Sequence, residues 1–287
     1  MHRTIGPGSL KHSMISHIGS QTFRLAILFS TNRATPRNRI APTDGIHMAK
    51  FVLVHGAWQT ASTWDLVIPE LRANGHEVWI PLLSGLENNA SPLTPAIGLQ
   101  THIDDVVRFL THENLQDVTL VGHSYAGMII TGVAEHALQR LHRLVYVDAF
   151  IPNDGQSALD LLPEPVAKSF RQQADNAGEG WRLRASEGHL DMWGLKSGPA
   201  RDFVRSRLSD FSLNCFQEAI GAPANAAAKL PRKFIACVAE GYPARAIFQQ
   251  FADRAKHEGW DYAELATGHD CHVEMPDAFV SSLLATS

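Results

Sequence analysis

The sequence is poor in cysteine and has no long hydrophobic run, and each shortage excludes a class of protein. Its 287 residues include three cysteines, Cys215, Cys237 and Cys271, an odd and widely separated set. A disulfide framework is therefore not expected, and a reducing compartment is favoured, so we predict a cytoplasmic protein. No apolar stretch approaches the roughly 18 residues of a membrane span, so no membrane partner is expected.

An excess of charge of one sign is also lacking. The formal net charge is −4 at pH 7, and 19% of the residues are charged. Neither nucleic acid nor an anionic membrane is therefore expected as a partner. The hydrophobic fraction of 45% is that of an ordinary globular protein.

Acidic residues are nearly absent from residues 1–47, which differ in this respect from the rest of the chain. The segment carries five arginines and a single acid, Asp44. Such a composition is typical of a transit peptide, and it is also compatible with an extension that has no targeting role. We favour the extension, with the folded protein beginning at Met48, and expect residues 1–47 to be disordered in either case.

Strand and helix patterns alternate from Met48 onward. Continuous apolar runs such as KFVLVHG and DVTLVGHS are typical of buried parallel strands. Amphipathic segments between them, such as THIDDVVRFLTHEN, are typical of helices. The sequence therefore predicts one α/β domain over residues 48–287, with a mostly parallel sheet and helices on both of its faces.

This alternation stops at residue 152 and returns near residue 230. The interval has helical patterns and no clear strand, so we predict a helical cap over the carboxyl ends of the strands, where such sheets bind ligands. We expect most of its large apolar side chains to pack the cap onto the body and a few to line a pocket. These side chains are Phe170, Trp181, Met192, Trp193, Phe203, Phe211 and Phe216.

The segment VGHSYAGM places Ser124 between a predicted strand and a predicted helix. It departs from the Gly-x-Ser-x-Gly pattern because Ala126 fills the last glycine position and Gly127 follows it. Such a turn can expose a serine oxygen above the sheet as a nucleophile, although a serine that only caps the helix is the alternative. Two further motifs, HGAW at residues 55–58 and TGHDCHVEM around His269, favour the nucleophile.

Together these motifs resemble the α/β-hydrolase family from about Lys50 to the end of the chain. FVLVHGAW, VTLVGHSYAGMIITGVA, LVYVDAFIPNDGQS and ELATGHD are similar to small serine esterases that include plant methyl esterases, hydroxynitrile lyases and bacterial esterases of pyrethroids or carbamates. The resemblance implies the α/β-hydrolase fold, with the cap inserted after LVYVDAF, the sixth strand of the family's sheet. It implies that Ser124 is the nucleophile, His269 is the general base, and the N–H groups of Ala57 and Tyr125 form the oxyanion hole.

The acid of the implied triad has two candidates. The family's usual position, after the strand FIACV, holds Glu240, whereas Asp148 stands at the alternative position one strand earlier. The shorter and stiffer aspartate suits holding one imidazole tautomer, so we favour Asp148. Each candidate also has a purely structural interpretation. Asp148 would then brace the next turn, and Glu240 would be a solvated loop residue.

Histidines near the end of the chain raise the question of a metal. His269 and His272 are three residues apart, with Asp270 and Glu274 beside them, but no third ligand has suitable spacing. We therefore predict no metal and no cofactor, and expect His55 and His123 to brace turns.

A carboxylesterase-type serine hydrolase is the leading hypothesis, with a small-molecule ester or carbamate as its partner and a monomer or homodimer as its state. Trp58 and Tyr125 near the nucleophile, with Trp193 in the cap, indicate a largely apolar or aromatic substrate. A hydroxynitrile-lyase-like enzyme is disfavoured because Asp270 stands where the resemblance implies a lysine. A ligand-binding homologue without catalysis is the third hypothesis.

Overall fold

The computed structural model describes residues 48–86, 92–221 and 225–285. The predicted extension, residues 1–47, lies outside these ranges. Within the described residues, no helix has both the length and the apolar character that crossing a membrane requires.

The strands, in chain order, are β1 (Lys50–Val54), β2 (Glu77–Trp79), β3 (Val118–His123), β4 (Leu141–Val147), β5 (Arg182–Leu183), β6 (Phe211–Ser212), β7 (Arg232–Cys237) and β8 (Asp261–Leu265). Six of them form the main sheet, which is parallel, in the order β2-β1-β3-β4-β7-β8. Central strands β1 and β3 are buried along almost their whole length, as expected for apolar runs covered on both faces.

Helices flank the sheet and fill the connections, which confirms the predicted fold class. Short 3-10 turns lie at Ala61–Trp64, Leu138–Arg140 and Ala227–Lys229. The α-helices are α1 (Ile68–Ala73), α2 (Leu99–His112), α3 (Ala126–Ala137), α4 (Ala158–Leu161), α5 (Glu164–Ala177), α6 (Glu187–Met192), α7 (Pro199–Arg205), α8 (Asn214–Gln217), α9 (Arg245–His257), α10 (Cys271–Glu274) and α11 (Pro276–Leu284).

The register of the sheet brings the predicted site residues to one edge. Val54 at the end of β1 pairs with Gly122 of β3, and His123 pairs with Val147 of β4. The segments that follow β1, β3 and β4 therefore leave the sheet side by side. These are the segments that carry the HGAW motif, Ser124 and Asp148.

The cap follows β4, the fourth strand along the chain, and contains helices α4 to α8. The expectation that it holds no strand is wrong, since β5 and β6 pair as a small antiparallel sheet of two residues on each side, with α6 and α7 between them in the chain. Segments this short carry no alternation that a sequence pattern could show. The Trp58 indole N–H donates to the Leu183 carbonyl over 3.2 Å, which fastens this small sheet to the loop after β1.

Candidate active site

The turn that carries Ser124 lies between β3 and α3 and is fixed by backbone hydrogen bonds. Ser124 has a φ of +57°, a left-handed conformation that costs a residue other than glycine about 1–3 kcal/mol and is typical of functional sites. Its N–H donates to the Val147 carbonyl over 3.1 Å, and its carbonyl accepts from Gly127 and Phe150 over 3.1 and 3.2 Å. The backbone is thereby fixed, while the side chain stays partly exposed.

Close packing explains the glycines on both sides of this turn. A Cβ atom on Gly122 would lie 2.7 Å from the carbonyl oxygen of Ala126, and one on Gly127 would overlap the carbonyl oxygen of Phe150. Ala126 is itself fully buried, so its methyl group is accommodated. The departure from the family pattern at Ala126 therefore leaves the turn intact.

Asp148 and His269 form a buried hydrogen-bonded pair beside the turn. His269 Nδ1 lies 2.7 Å from Asp148 Oδ2, and the two residues are 1% and 2% exposed. The Cys237 N–H donates to Asp148 Oδ1 over 3.2 Å. Asp148 has a φ of +42°, so the carboxylate, like Ser124, is placed by a left-handed backbone.

Glu240, the other candidate acid, lies elsewhere. It is exposed and lines a separate surface groove together with Lys196 and Glu274. The structure therefore brings Asp148, and not Glu240, to the imidazole of His269.

The backbone of His269 is anchored as firmly as its ring. Its N–H donates to the Trp193 carbonyl over 2.8 Å, and its carbonyl lies 3.0 Å from His123 Nε2, which donates to it. The Phe248 ring lies nearly parallel to the imidazole, with centroids 4.6 Å apart. His123 therefore braces the loop of His269, where we expected it to brace a turn.

Ser124 and His269 line the same cavity. Within the described residues no hydrogen bond joins Ser124 Oγ to His269 Nε2. Contacts between a nucleophile and its base commonly tighten only when substrate binds. The two side chains are thus placed to act on one bound molecule.

The backbone N–H groups of Ala57 and Tyr125 occupy the turns after β1 and β3. Neither donates a hydrogen bond to another backbone group in the part of the chain that the structure describes. Trp58, the residue after Ala57, has a φ of +61°, so this turn also uses a left-handed residue.

The Tyr125 side chain does not face the cavity, contrary to our expectation. It is fully buried, its hydroxyl lies 3.2 Å from His102 Nδ1, and its ring packs on Phe211 and Phe216. The Tyr125 ring therefore packs between the body and the cap and forms no part of the described cavity wall.

The cavity is small, with a volume of about 30 Å³, and its wall is mostly apolar. Trp58 and Trp193 both line it. No Asp, Glu, Lys or Arg is among the described lining residues, so the wall suits an uncharged molecule. Four of the seven large cap side chains take part, more than the few expected: Phe170, Met192, Trp193 and Phe216.

Sequence reasoning missed Tyr242, which lies in the loop after β7. Its hydroxyl donates to Asp148 Oδ2 over 2.8 Å and lies 2.9 Å from His269 Nδ1. Its position in the sequence could have indicated a role near the imidazole, because the family's usual acid lies in this loop.

A cluster of His123, Asp270 and His272 lies next to His269, fully buried. Sequence spacing paired His272 with His269 and missed His123, which comes from β3. Burial lowers the pKa of His272 to about 3 and raises that of Asp270 to about 6. The ligand atoms spread over up to 4.8 Å, wider than the roughly 3.4 Å between neighbouring ligands of a tetrahedral zinc ion.

We expect removal of metal ions to leave the activity unchanged. Dialysis against EDTA, followed by rate measurement on one ester, tests this expectation. Loss of activity that added Zn²⁺ restores would contradict it and would assign a metal to the cluster of His123, Asp270 and His272.

Known proteins are similar to this chain in sequence and in fold. A carbendazim hydrolyzing esterase of Nocardioides sp. (strain SG-4G) is 33% identical over 248 residues, covering 83% of this chain and 99% of that protein. Methylesterase 2 of Arabidopsis thaliana is 31% identical over 166 residues, covering 56% of this chain and 60% of that protein. The crystal structure of a pyrethroid hydrolase from Sphingobium faniae JZ-2 covers 82% of this chain and 96% of its own, with a TM-score of 0.64 and 20% identity.

The sequence pattern of one family spans most of the chain. That family is described as the alpha/beta hydrolase family, and its pattern matches residues 51–282. The match contains the turns of Ala57 and Ser124, the strand before Asp148 and the loop of His269, so it confirms the resemblance that the motifs indicated. The chain belongs to the alpha/beta hydrolase family.

Proposed function

We propose that the protein is a serine hydrolase that cleaves a carboxylic ester or carbamate of a small, largely apolar or aromatic molecule through an acyl-enzyme. The observation that carries the proposal is the meeting of Ser124 and His269 in one cavity, with Asp148 bonded to the far side of the imidazole. This is the arrangement that converts a serine hydroxyl into a nucleophile.

In the first half of the proposed reaction, Ser124 Oγ attacks the carbonyl carbon while His269 Nε2 takes its proton. Negative charge develops on the carbonyl oxygen, where the N–H groups of Ala57 and Tyr125 can stabilise it. His269 then returns the proton to the leaving alcohol as the bond to the acyl or carbamoyl group breaks. Asp148 accepts the Nδ1–H bond throughout and stabilises the imidazolium.

In the second half, His269 takes a proton from water, and the water oxygen attacks the acyl-enzyme at the same carbonyl carbon. Collapse of the second tetrahedral intermediate releases the acid, or the carbamic acid, and returns the proton to Ser124. The same two N–H donors serve both intermediates, so one oxyanion site is sufficient.

The wall of the cavity supports an uncharged substrate with an aromatic or branched apolar group. The aromatic rings of Trp58, Phe170 and Phe248 line it together with aliphatic side chains, and such a surface favours apolar groups. A relative that is named for hydrolysis of carbendazim supports the inclusion of carbamates beside esters.

Two alternatives draw less support. A hydroxynitrile-lyase-like reaction is disfavoured by Asp270, whose carboxylate accepts from Gln59 over 2.5 Å in the place where those enzymes are expected to need a lysine. A ligand-binding homologue without catalysis is disfavoured by the hydrogen bond between Asp148 and His269.

We expect turnover of a chromogenic short-chain aryl ester, followed by selective turnover within a panel of aryl esters, pyrethroid-like esters and benzimidazole carbamates. Release of the chromophore, and of product by chromatography, measures the rates. A matched short-chain ester of a charged acid is the control and should react far more slowly, because the described lining residues offer no opposite charge. Ligand binding without turnover of any of the three classes would favour the non-catalytic alternative.

Three further proposals rest on the sequence. The hydrolase domain spans residues 48–287, with residues 1–47 as an extension. The protein is cytoplasmic, as its cysteine usage favours, and it is a monomer or a homodimer.

A further inference from the structure

The Tyr242 hydroxyl lies between the two groups that are proposed to activate Ser124. It is 2.8 Å from Asp148 Oδ2 and 2.9 Å from His269 Nδ1, while those two atoms are 2.7 Å apart. The three polar atoms thus form a closed triangle. Tyr242 is 5% exposed, so bulk water does not compete for these bonds.

We propose that Tyr242 is a positioning residue of the proposed triad, which fixes the imidazole tautomer and moderates the hydrogen bond between Asp148 and His269. This inference rests on the proposed serine hydrolase function. It gives a task to a side chain that contributes no atom to the reacting groups and is not among the described residues lining the cavity.

The number of protons available to the Tyr242 hydroxyl, the Asp148 carboxylate and His269 Nδ1 determines which of these groups donate and which accept. An ionised carboxylate only accepts, so the tyrosine O–H donates to Asp148 Oδ2. The lone pairs of the tyrosine oxygen then face His269 Nδ1, which has Asp148 as a second acceptor. With two acceptors beside it, Nδ1 carries the proton, and Nε2 keeps its lone pair for the proton of Ser124.

Tyr242 remains a donor over the whole neutral range. Burial, and after it the charge of Asp148, raises the pKa of Tyr242 well above its usual value of about 10. The phenol therefore does not ionise under conditions in which a serine hydrolase works, and the pattern of donors and acceptors is constant.

The position of Tyr242 in the chain explains how the acid can stand directly after β4. The end of β7 and the loop after it, where the family usually places its acid, here supply two donors to Asp148: the Cys237 N–H at Oδ1 and the Tyr242 hydroxyl at Oδ2. Together with His269, they give the carboxylate three donors. The loop after β7 therefore contacts the proposed triad as a donor to the carboxylate, through Tyr242.

Tyr242→Phe should lower kcat by about 10- to 100-fold, the range for loss of a hydrogen bond to a charged group, with KM changed by less than about threefold. The acid limb of the kcat/KM profile should also move to higher pH. Without the tyrosine proton, Asp148 Oδ2 becomes a stronger acceptor for His269, so the protonated imidazolium persists to higher pH. The steady-state rates of the purified full-length chain between pH 4.5 and 9 measure both effects.

Tyr146→Phe is the matched control. Tyr146 is also buried, and its hydroxyl makes a 2.8 Å bond with Thr131, away from the triad. This variant should lose comparable stability yet retain the wild-type kcat and pH profile. An acid limb of Tyr242→Phe that stays in place, or moves to lower pH, would overturn the proposal.

A proton NMR measurement on the resting protein separates this proposal from the proposed function. The Nδ1–H of His269 should give a resonance far downfield that moves in Tyr242→Phe and not in Tyr146→Phe. If the wild type hydrolyses no ester while this difference holds, the proposed function fails and the hydrogen-bond assignment survives. If the resonance is the same in both variants as in the wild type, the assignment to Tyr242 is wrong.

Discussion

Replacing Ser124 with alanine should abolish hydrolysis of every ester and carbamate that the wild type cleaves, by about 10⁶-fold in kcat. The variant removes one oxygen atom from a partly exposed turn whose backbone bonds to Val147, Gly127 and Phe150 are independent of the side chain. The fold should therefore remain, with a melting temperature close to that of the wild type. Steady-state kinetics and thermal unfolding measure the two expectations.

Ser281→Ala is a suitable control, because Ser281 lies on an exposed face of α11. It should behave as the wild type in both assays. Retention of more than a few per cent of the activity by a folded Ser124→Ala protein would show that another group is the nucleophile.

Asp148→Asn should be the second severe variant, with kcat reduced by about 10⁴-fold. The amide presents a donor where His269 Nδ1 needs an acceptor, so the wrong imidazole tautomer is favoured. The side chain keeps its size and can still accept from the Cys237 N–H, so the fold should be retained. The kcat of this variant on the same ester as Ser124→Ala is the measurement.

Glu240→Gln is the comparison that tests the choice between the two acids. Glu240 is exposed and lines a different groove, and exposed carboxylates contribute little. We expect its activity to stay within about tenfold of the wild type. If Glu240→Gln were nearly inactive and Asp148→Asn nearly as active as the wild type, the triad acid would be Glu240, at the family's usual position.

Much of the candidate site could be predicted because it lies at strand ends. Ser124 and Asp148 follow β3 and β4 directly, and Ala57 lies in the loop after β1; neighbouring parallel strands must deliver such residues to one edge of the sheet. His269 lies in the loop after β8. Apolar runs that end in a glycine or a turn mark these strands in the sequence, so local patterns were sufficient.

Tyr242 and Phe248 could not be predicted in this way. Tyr242 bonds to a residue 94 positions away, and its hydroxyl reaches the triad only because of how the loop after β7 is folded. Phe248 lies on α9, where its apolar character fits any buried helix position. Neither carries a local pattern that distinguishes a contact with His269 from ordinary packing.

The orientation of Tyr125 shows a second limit. Its position next to Ser124 is fixed by the sequence, but the direction of its ring depends on His102, Phe211 and Phe216, which come from α2 and the cap. Sequence neighbours of a nucleophile share its turn, and their side chains point where the tertiary packing permits.

The hydrogen bonds that attach the cap to the body restrict how the cap can move when substrate binds. The cap bonds to the body at two residues of the candidate site: the Trp193 carbonyl accepts from the His269 N–H over 2.8 Å, and the Trp58 carbonyl accepts from the Ser209 N–H over 2.7 Å. A movement of the whole cap would therefore displace the loop of His269 and the loop after β1. We therefore expect the cap to stay attached to the body while substrate binds, and side chains of the cavity wall, not the whole cap, to move as it enters. Because the backbone of the His269 loop is held in place beforehand, the step that remains is the approach of the Ser124 and His269 side chains on the bound molecule.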